Sequence, residues 1–430
     1  MIGREQVSDL QRMVGEWVAQ HCAARSVTET EELAAQVAQA AGAAVVEQLL
    51  PSLAGPKSYE GCSRACGCGR KAKFVGYRKR GIGTLYSVVA VERAYYHCRH
   101  CHSGTAPWDR QQGLNDRLWT AHVKALVVQV TARLPYREGV DLLEQLVGLR
   151  IEDSSADELM CEVGSRMRAE QAALMAGLES GDITPLVARA PNRLYVGMDG
   201  TSAHIDGSWH EVKTGVVYEG RPDEQGMDEA CGAVYVAAQE PAEQFGSRLY
   251  MAAAQAGVQV ARESVVIGDG AEWIWNLADH HYLGATQILD LWHACEHIHA
   301  LARAYYGEAT EQGNRWAQEH CRSLKQSGPG KLLRALRRMK PRTEEQREAV
   351  RLETGYFTRN KQRMQYPEFR RQGMMIGSGP VEAGCKIVVG QRLKGAGMRW
   401  SKKGADACLA VRTALLSQQP QLVTQAAKAA

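Results

Sequence analysis

Apolar positions in the opening stretch of the chain recur at helical spacing. The segment VTETEELAAQVAQAAGAAVVEQLL combines this spacing with good helix formers, and Thr28 is a candidate N-cap. Pro51 ends the pattern, because proline cannot continue a helix. Residues 1–55 are therefore predicted to form an N-terminal segment of one or two helices.

The pattern changes to alternation between Gly61 and Trp108. The stretch FVGYRKRGIGTLYSVVAVERAYYHC alternates apolar and polar residues, is rich in valine and tyrosine, and is interrupted by glycines. Such patterning is typical of strands joined by turns. Residues 56–108 are predicted to form a small antiparallel sheet.

Helical spacing returns in residues 109–188, where three helices are predicted. The second and third surround a glycine-containing turn, as in a helix-turn-helix unit, with Ser154 or Ser155 as the N-cap of the third. That third helix begins with Asp157 and Glu158, which suit DNA poorly. It is either a DNA-reading helix or an element for packing or dimerisation.

Strand patterns resume at Arg193. Three strands are predicted in LYVGMDGT, WHEVKTGVVYE and GAVYVAAQ, and a helix follows them. SVVIGDG and TQILD then read as strands that each lead into a helix. This order predicts a mixed α/β sheet in residues 189–306. A basic helical stretch, residues 307–375, and an apolar helical segment, residues 376–430, complete the chain.

Charge is distributed unevenly over the 430 residues, a length that favours two to four domains. The stretch from Arg322 to Lys403 contains 21 lysines and arginines against six acidic residues, whereas the remainder has 31 basic and 42 acidic residues. A polyanion is the partner expected for so basic a stretch. We find no apolar run of about 18 residues that would span a membrane, and the charged start lacks the apolar core of a secretory signal. We therefore expect a cytoplasmic chain, located on the nucleoid if DNA is its partner.

Five of the twelve cysteines fall within 40 residues, and in a cytosolic chain such clustering indicates metal binding. Cys98 and Cys101 have the CxxC spacing of zinc ligands, and Cys66 and Cys68 form a tighter CxC pair. We predict a structural Zn²⁺ held by these four thiols in a zinc ribbon. Cys62 in place of Cys66 or Cys68 is an open alternative.

Two aspartates follow apolar strands and are flanked by glycines. Asp199 comes after Leu194–Val196 and Asp269 after Val265–Ile267. Ligand sites of open α/β sheets gather where strands end, and carboxylates are the ligands that Mg²⁺ prefers. A third carboxylate, Glu382 in IGSGPVEAGCK, sits where proline and glycine mark a helix start. Glu382 either completes a site for two Mg²⁺ or Mn²⁺ ions or only complements the helix dipole.

The motifs LYVGMDGT, VVIGDGAEWIW, ILDLWH and GSGPVEAGCK, in this order, resemble those of bacterial insertion-sequence transposases of the ISKra type and, more distantly, Mutator-like transposases. The resemblance extends from about Cys66 to Leu416. It implies an Asp-Asp-Glu enzyme with a ribonuclease H-like core, preceded by a zinc ribbon and helical N-terminal domains. By this analogy the catalytic carboxylates are Asp199, Asp269 and Glu382, with a helical insertion before the glutamate.

The same resemblance implies further roles. Asp290 and His293 match a motif of Mutator-like enzymes, and His293 would contact phosphate or orient a carboxylate. The implied reaction cuts double-stranded transposon-end DNA and joins the 3′-hydroxyl to target DNA by phosphoryl transfer, within a homo-oligomeric synaptic complex.

A basic and aromatic segment follows Glu382. Interleaved charges and rings of this kind suit contacts with nucleic acid, and the residues predicted to bind DNA are Arg392, Lys394, Arg399, Trp400, Lys402 and Lys403. Two other functions remain open: a zinc-containing DNA-binding regulator without strand transfer, and a ribonuclease H-like nuclease, because a fold alone does not determine a function.

Overall fold

The computed structural model describes residues 3–53, 57, 59–114, 119–187 and 189–429. By their contacts these residues form two compact units. The first contains Met1–Val123 and Leu143–Arg150, and the second contains Lys124–Leu142 and Ile151–Ala430.

The first unit is built on a small antiparallel sheet with strands in the order β1-β2-β3-β4. Its strands are β1 (Ser63–Ala65), β2 (Lys71–Gly83), β3 (Val88–His97) and β4 (Gly104–Thr105), and its helices include α1 (Arg4–His21), α2 (Val27–Leu49) and α3 (Pro107–Gln111). Val46 and Leu50 pack against a core of Ile82, Val91 and Trp108. The predicted antiparallel sheet is therefore present, and the end of α2 covers it.

The N-cap of α2 differs from the expected one. The Ser26 hydroxyl, and not Thr28, accepts the Glu29 amide at 3.1 Å. Ser26 has extended backbone angles, whereas Thr28 already lies inside the helix. A cap must stand outside the helix to reach the amides of its first turn, and this selects Ser26.

The second unit contains a five-stranded mixed sheet, so the predicted mixed α/β class is confirmed. The strand order is β7-β6-β5-β8-β9. The strands are β5 (Arg193–Ile205), β6 (Ser208–Pro222), β7 (Asp228–Ala238), β8 (Glu263–Gly268) and β9 (Thr286–Leu289). β5, β6 and β7 form an antiparallel meander, and β8 and β9 run parallel to β5.

Helices surround this sheet and continue into a helical region between β9 and the end of the chain. They are α6 (Asp153–Glu179), α7 (Ala242–Gln255), α8 (Glu272–His281), α9 (Leu291–Tyr306), α10 (Glu311–Ser327), α11 (Gly330–Arg338), α12 (Glu344–Arg359), α13 (Tyr366–Arg371), α14 (Gly379–Gly384), α15 (Gln391–Leu393), α16 (Lys402–Leu416) and α17 (Pro420–Ala429). Two earlier helices, α4 (Ala121–Thr131) and α5 (Tyr136–Val147), contain residues of both units. In the described part of the chain, no helix combines the length and apolar character needed to cross a membrane.

Close backbone approaches place helices on both faces of the sheet. A Cβ added at Gly215 would meet Leu249 of α7 at 2.6 Å, and one at Gly268 would meet Ile274 of α8 at 2.9 Å. On the opposite face, a Cβ at Gly197 would lie 3.1 Å from Val381 of α14. Helix α14, which carries Glu382, is therefore packed directly on β5.

Helix α6 begins earlier than expected, with Glu152 and not Ser154 or Ser155 at its N-cap. One of its faces packs on α16, where a Cβ at Gly164 would come within 2.5 Å of the Ala407 backbone. Arg168 farther along α6 pairs with Asp406 at 2.8 Å. These contacts match the packing role that the sequence left open for this helix.

Candidate functional site

Three acidic residues stand at one level on three adjacent parallel strands. Met198 of β5 pairs with Gly268 of β8, and Gly268 pairs with Leu289 of β9. The next residues along the strands are Asp199, Asp269 and Asp290. We call this set the carboxylate edge.

Asp199 lies within β5 and not at its end, in contrast to the prediction. β5 continues to Ile205 because it forms a long hairpin with β6, whereas its pairing with β8 stops at Met198. The parallel part of the strand therefore does end immediately before Asp199. In this sense the two aspartates are equivalent, since β8 also stops at Gly268, immediately before Asp269.

Both of these aspartates are half-buried, and each carboxylate accepts one nearby amide. Asp199 accepts the Gly200 amide at 2.7 Å, and Asp269 accepts the Ala271 amide at 2.8 Å. Burial raises the pKa of Asp199, and the negative charge of Asp269 raises it further. Neighbouring like charges of this kind favour a bound cation, because the cation offsets their repulsion.

Asp290 is fully buried and acts as the N-cap of α9. Its Oδ1 accepts the backbone amide of His293 at 2.7 Å and the ring Nδ1–H at 3.1 Å, and its Oδ2 accepts the amide of Ser378. Burial opposes its ionisation, yet these donors together lower its pKa. With both oxygens occupied, Asp290 is suited to positioning its neighbours.

The contact with Asp290 favours the protonated form of the His293 imidazole. Its hydrogen bond to Asp290 raises the pKa of the imidazole to about 9, and the charge of Asp269 contributes in the same direction. The ring is therefore cationic at neutral pH. Its Nε2–H forms no hydrogen bond with a described residue and remains available to an anion.

The helix that carries Glu382 is attached to both sides of the carboxylate edge. Ser378, its N-cap, donates its amide to Asp290. One turn beyond Glu382, the Cys385 thiol donates to Asp199 Oδ2 at 3.4 Å. Glu382 thus lies on a segment that bridges Asp290 and Asp199.

The Glu382 carboxylate itself points outward. Its side chain is 54% exposed and pairs with Lys386 on the same helix at 2.7 Å. Accordingly, Glu382 and the two aspartates do not form a group whose ligand atoms lie within 4.8 Å of one another, whereas four cysteines in the described residues do. An exposed i,i+4 pair is worth only about 0.3–0.5 kcal/mol. Breaking the Glu382–Lys386 pair would therefore cost little free energy.

The helix after Glu382 contains a π-helical turn, Cys385–Gly390, which the sequence did not indicate. The wider turn is held by the buried Arg412, whose guanidinium donates to Val388 O at 2.8 Å and to Ile387 O. Such insertions are frequent at functional sites. Here the turn begins at the residue that contacts Asp199.

The four predicted zinc ligands come together in the first unit. Cys66 Sγ lies 3.5 Å from Cys101 Sγ, Cys68 Sγ lies 3.7 Å from Cys98 Sγ, and all four sulfurs are mutually within 4.8 Å. Zn–S bonds of about 2.3 Å in a tetrahedron place sulfurs about 3.8 Å apart, so the spacing fits zinc. Cys62 is outside this group, and the alternative ligand sets are wrong for this geometry.

The segment predicted to bind DNA is divided by burial. Arg392 is only 2% exposed; it donates to Thr131 O at 2.9 Å, and its guanidinium carbon lies 4.8 and 4.6 Å from the ring centroids of Tyr136 and Trp400. Trp400 is 8% exposed. Assigning these two residues to DNA binding was wrong, because their side chains pack inside the second unit. The remaining predicted cations are exposed: Lys394, Arg399, Lys402 and Lys403.

Three further side chains border the carboxylate edge, and the sequence analysis did not place any of them there. The Tyr356 hydroxyl donates to Asp269 O at 2.9 Å, and the Lys394 ammonium donates to Thr201, two residues beyond Asp199 on the same face of β5. Trp292 is 67% exposed beside His293. Lys394 was predicted to bind DNA, with no contact to β5 expected, and Tyr356 lies 87 residues from Asp269, so neither contact has a local signal.

No protein-family model matches the chain, and no curated protein sequence matches it.

Proposed function

We propose that the chain is a DNA transposase of the Asp-Asp-Glu type, which cuts transposon-end DNA and joins the 3′-hydroxyl to target DNA. The observation that carries this proposal is the strand register, which sets Asp199 and Asp269 side by side beneath the helix of Glu382. Asp199 and Asp269 are 70 residues apart along the chain, and Glu382, 113 residues after Asp269, lies on a helix that packs against the same sheet.

The topology supports a ribonuclease H-like core. In the second unit, three antiparallel strands are followed by two parallel ones on the other side of β5, so that only β6 runs opposite to the rest. Helices α7 and α8 connect the later strands. This arrangement agrees with the core implied by the sequence motifs, with α10 to α13 as its insertion.

The donor chemistry of the site fits divalent cations. Asp199 and Asp269 present hard carboxylate oxygens, and Glu382 would join them by turning from Lys386. When bound, Mg²⁺ or Mn²⁺ supplies activation of the attacking oxygen and neutralises charge on the leaving one. The four cysteines would hold a separate zinc ion, which is structural because four protein ligands leave no open position.

The protein's own residues would orient and neutralise the phosphodiester. His293 is cationic and is fixed through Nδ1 by Asp290, which leaves its Nε2–H to donate to a phosphate oxygen. Lys394 reaches the same face of β5 through Thr201. Positioning and electrostatic stabilisation of this kind are the main protein contribution to phosphoryl transfer.

The proposal is tested with linear DNA containing the non-coding sequence that flanks the gene on each side, in Mg²⁺ or Mn²⁺. The expected products are 3′-hydroxyl ends and joined strands. Asp199→Asn, Asp269→Asn and Glu382→Gln should each lower the cleavage rate by at least about 10²-fold while DNA binding persists. The matched control is Glu308→Gln, an exposed glutamate in the same unit, which should cleave normally.

Each alternative function has its own outcome in this assay. Cleavage without joined products indicates a nuclease on the same fold, and binding without cleavage in the wild-type chain indicates a regulator. Full activity in Glu382→Gln would remove that residue from the site and overturn the three-carboxylate proposal.

A further inference from the structure

Helix α11 carries an exposed row of cations on one face. Arg334, Arg337 and Arg338 point to solvent, and exposed Lys340 and Arg342 follow the helix. The opposite face is anchored by three buried leucines: Leu332, Leu333 and Leu336. We call these five cations the arginine row. Its rigid attachment fixes where the charges stand.

The arginine row forms no ion pair with any acidic residue of the described chain, whereas neighbouring cations do. Lys331 pairs with Glu319 at 2.7 Å, and Arg347 and Arg351 of α12 pair with Glu344 and Glu348 at 2.6 and 2.7 Å. Paired cations have little charge left for a partner. The row concentrates uncompensated positive charge, which fits a polyanion better than a solvated surface.

Helix α12 connects the arginine row to the carboxylate edge. The row ends just before Glu344, the first residue of α12, and Tyr356 of the same helix donates to Asp269 O. At 1.5 Å per residue, these two positions are about 18 Å apart along the helix axis. Duplex DNA rises about 3.4 Å per base pair, so this distance corresponds to roughly five base pairs.

We infer that the arginine row binds the phosphate backbone of duplex DNA, with its nearer end about five base pairs from the bond that is cut. This inference rests on the proposed function and assigns the main backbone contacts to α11, in place of the partly buried segment around Arg392. Arg334 and Arg338 are one helical turn apart, about 6 Å, which spans nearly two base-pair steps. The row can therefore follow one strand.

The test measures binding to a fluorescein-labelled duplex of mixed sequence, about 20 base pairs long, by anisotropy between about 50 and 200 mM KCl. The variant is Arg334→Gln with Arg338→Gln. Two lost phosphate contacts should reduce the slope of log K against log salt by about 1.8. The matched control is Arg347→Gln with Arg351→Gln. It removes the same charge at the same spacing from α12, where both arginines are in ion pairs, and it should leave the slope unchanged.

A second readout separates binding from chemistry. Single-turnover cleavage at saturating DNA should be normal in the Arg334→Gln/Arg338→Gln variant, because the row does not contact the reacting bond, while the DNA concentration for half-saturation rises. An unchanged slope in that variant, or an equal loss in the control, overturns the inference. If the wild type binds DNA through the row but does not cleave it, the proposed transposase activity is overturned and the assignment of DNA binding to the row stands. If the wild type does not bind DNA, both proposals are overturned.

Discussion

Replacing Arg392 tests whether this residue serves the fold or DNA. The guanidinium is buried against the rings of Tyr136 and Trp400 and donates to Thr131 O at 2.9 Å. A charged hydrogen bond is worth about 1.5–3 kcal/mol, and each cation–π contact about 0.5–2 kcal/mol. Returning the charge to water on unfolding offsets part of this sum. We expect Arg392→Ala to destabilise the second unit by about 3 kcal/mol.

Thermal unfolding followed by circular dichroism measures this loss. At about 2–3 °C per kcal/mol for a unit of this size, the midpoint should fall by roughly 6–9 °C. Arg392→Lys is the discriminating variant, because lysine keeps the charge but lacks the planar guanidinium that contacts both rings and donates to Thr131 O. It should destabilise the unit, whereas a residue that served only to neutralise phosphate would tolerate the change.

The matched comparison is exposed Lys403→Ala, which should keep the wild-type midpoint because the lysine is a surface side chain. Wild-type stability in Arg392→Ala, combined with a loss of DNA affinity that Arg392→Lys restores, would refute the assignment of Arg392 to the interior.

Three other predictions follow from single contacts. Elemental analysis should find zinc in the wild type and in Cys62→Ser but not in Cys98→Ser, because of the two cysteines only Cys98 belongs to the four-sulfur group. Gly164→Val should lower the unfolding midpoint by an amount equivalent to about 1–3 kcal/mol, since its Cβ would meet the Ala407 backbone at 2.5 Å. The raised pKa of His293, about 9 against 6.5, should give a stabilisation that is complete below pH 6.5 and lost as the pH rises through 9, measured as the midpoint difference from His293→Gln.

Each of these has an outcome that contradicts it. Equal zinc content in the Cys98 and Cys62 variants would contradict the four-thiol site. Gly15→Ala, at an exposed helical glycine with nothing within 4 Å, should leave stability unchanged or raise it. A loss of stability there as large as in Gly164→Val would show that the contact with the Ala407 backbone is not the cause. If the difference in unfolding midpoint between the wild type and His293→Gln stays constant from pH 6.5 to 9, the Asp290–His293 charge interaction does not contribute to stability.

Local pattern was enough to predict the element types and the chemistry of single residues. Period-two and helical spacing identified the ribbon strands, the three strands of the meander and the strand–helix units after them. The CxC and CxxC spacings identified Cys66, Cys68, Cys98 and Cys101, because zinc knuckles are built from residues close in sequence. In each case the signal and the structure that it predicts lie within a few residues of one another.

The sequence alone thus determined the mixed α/β class, the four clustered cysteines apart from the Cys62 alternative, and the identity of the candidate carboxylates. Only the tertiary structure decided that Asp199 and Asp269 share a level, since strand register depends on pairing between residues about 70 positions apart. It also decided that Arg392 and Trp400 are internal, because a pattern of basic and aromatic residues does not distinguish side chains on a surface from side chains packed in a core. Burial and register arise from contacts between distant segments, and no local pattern carries them.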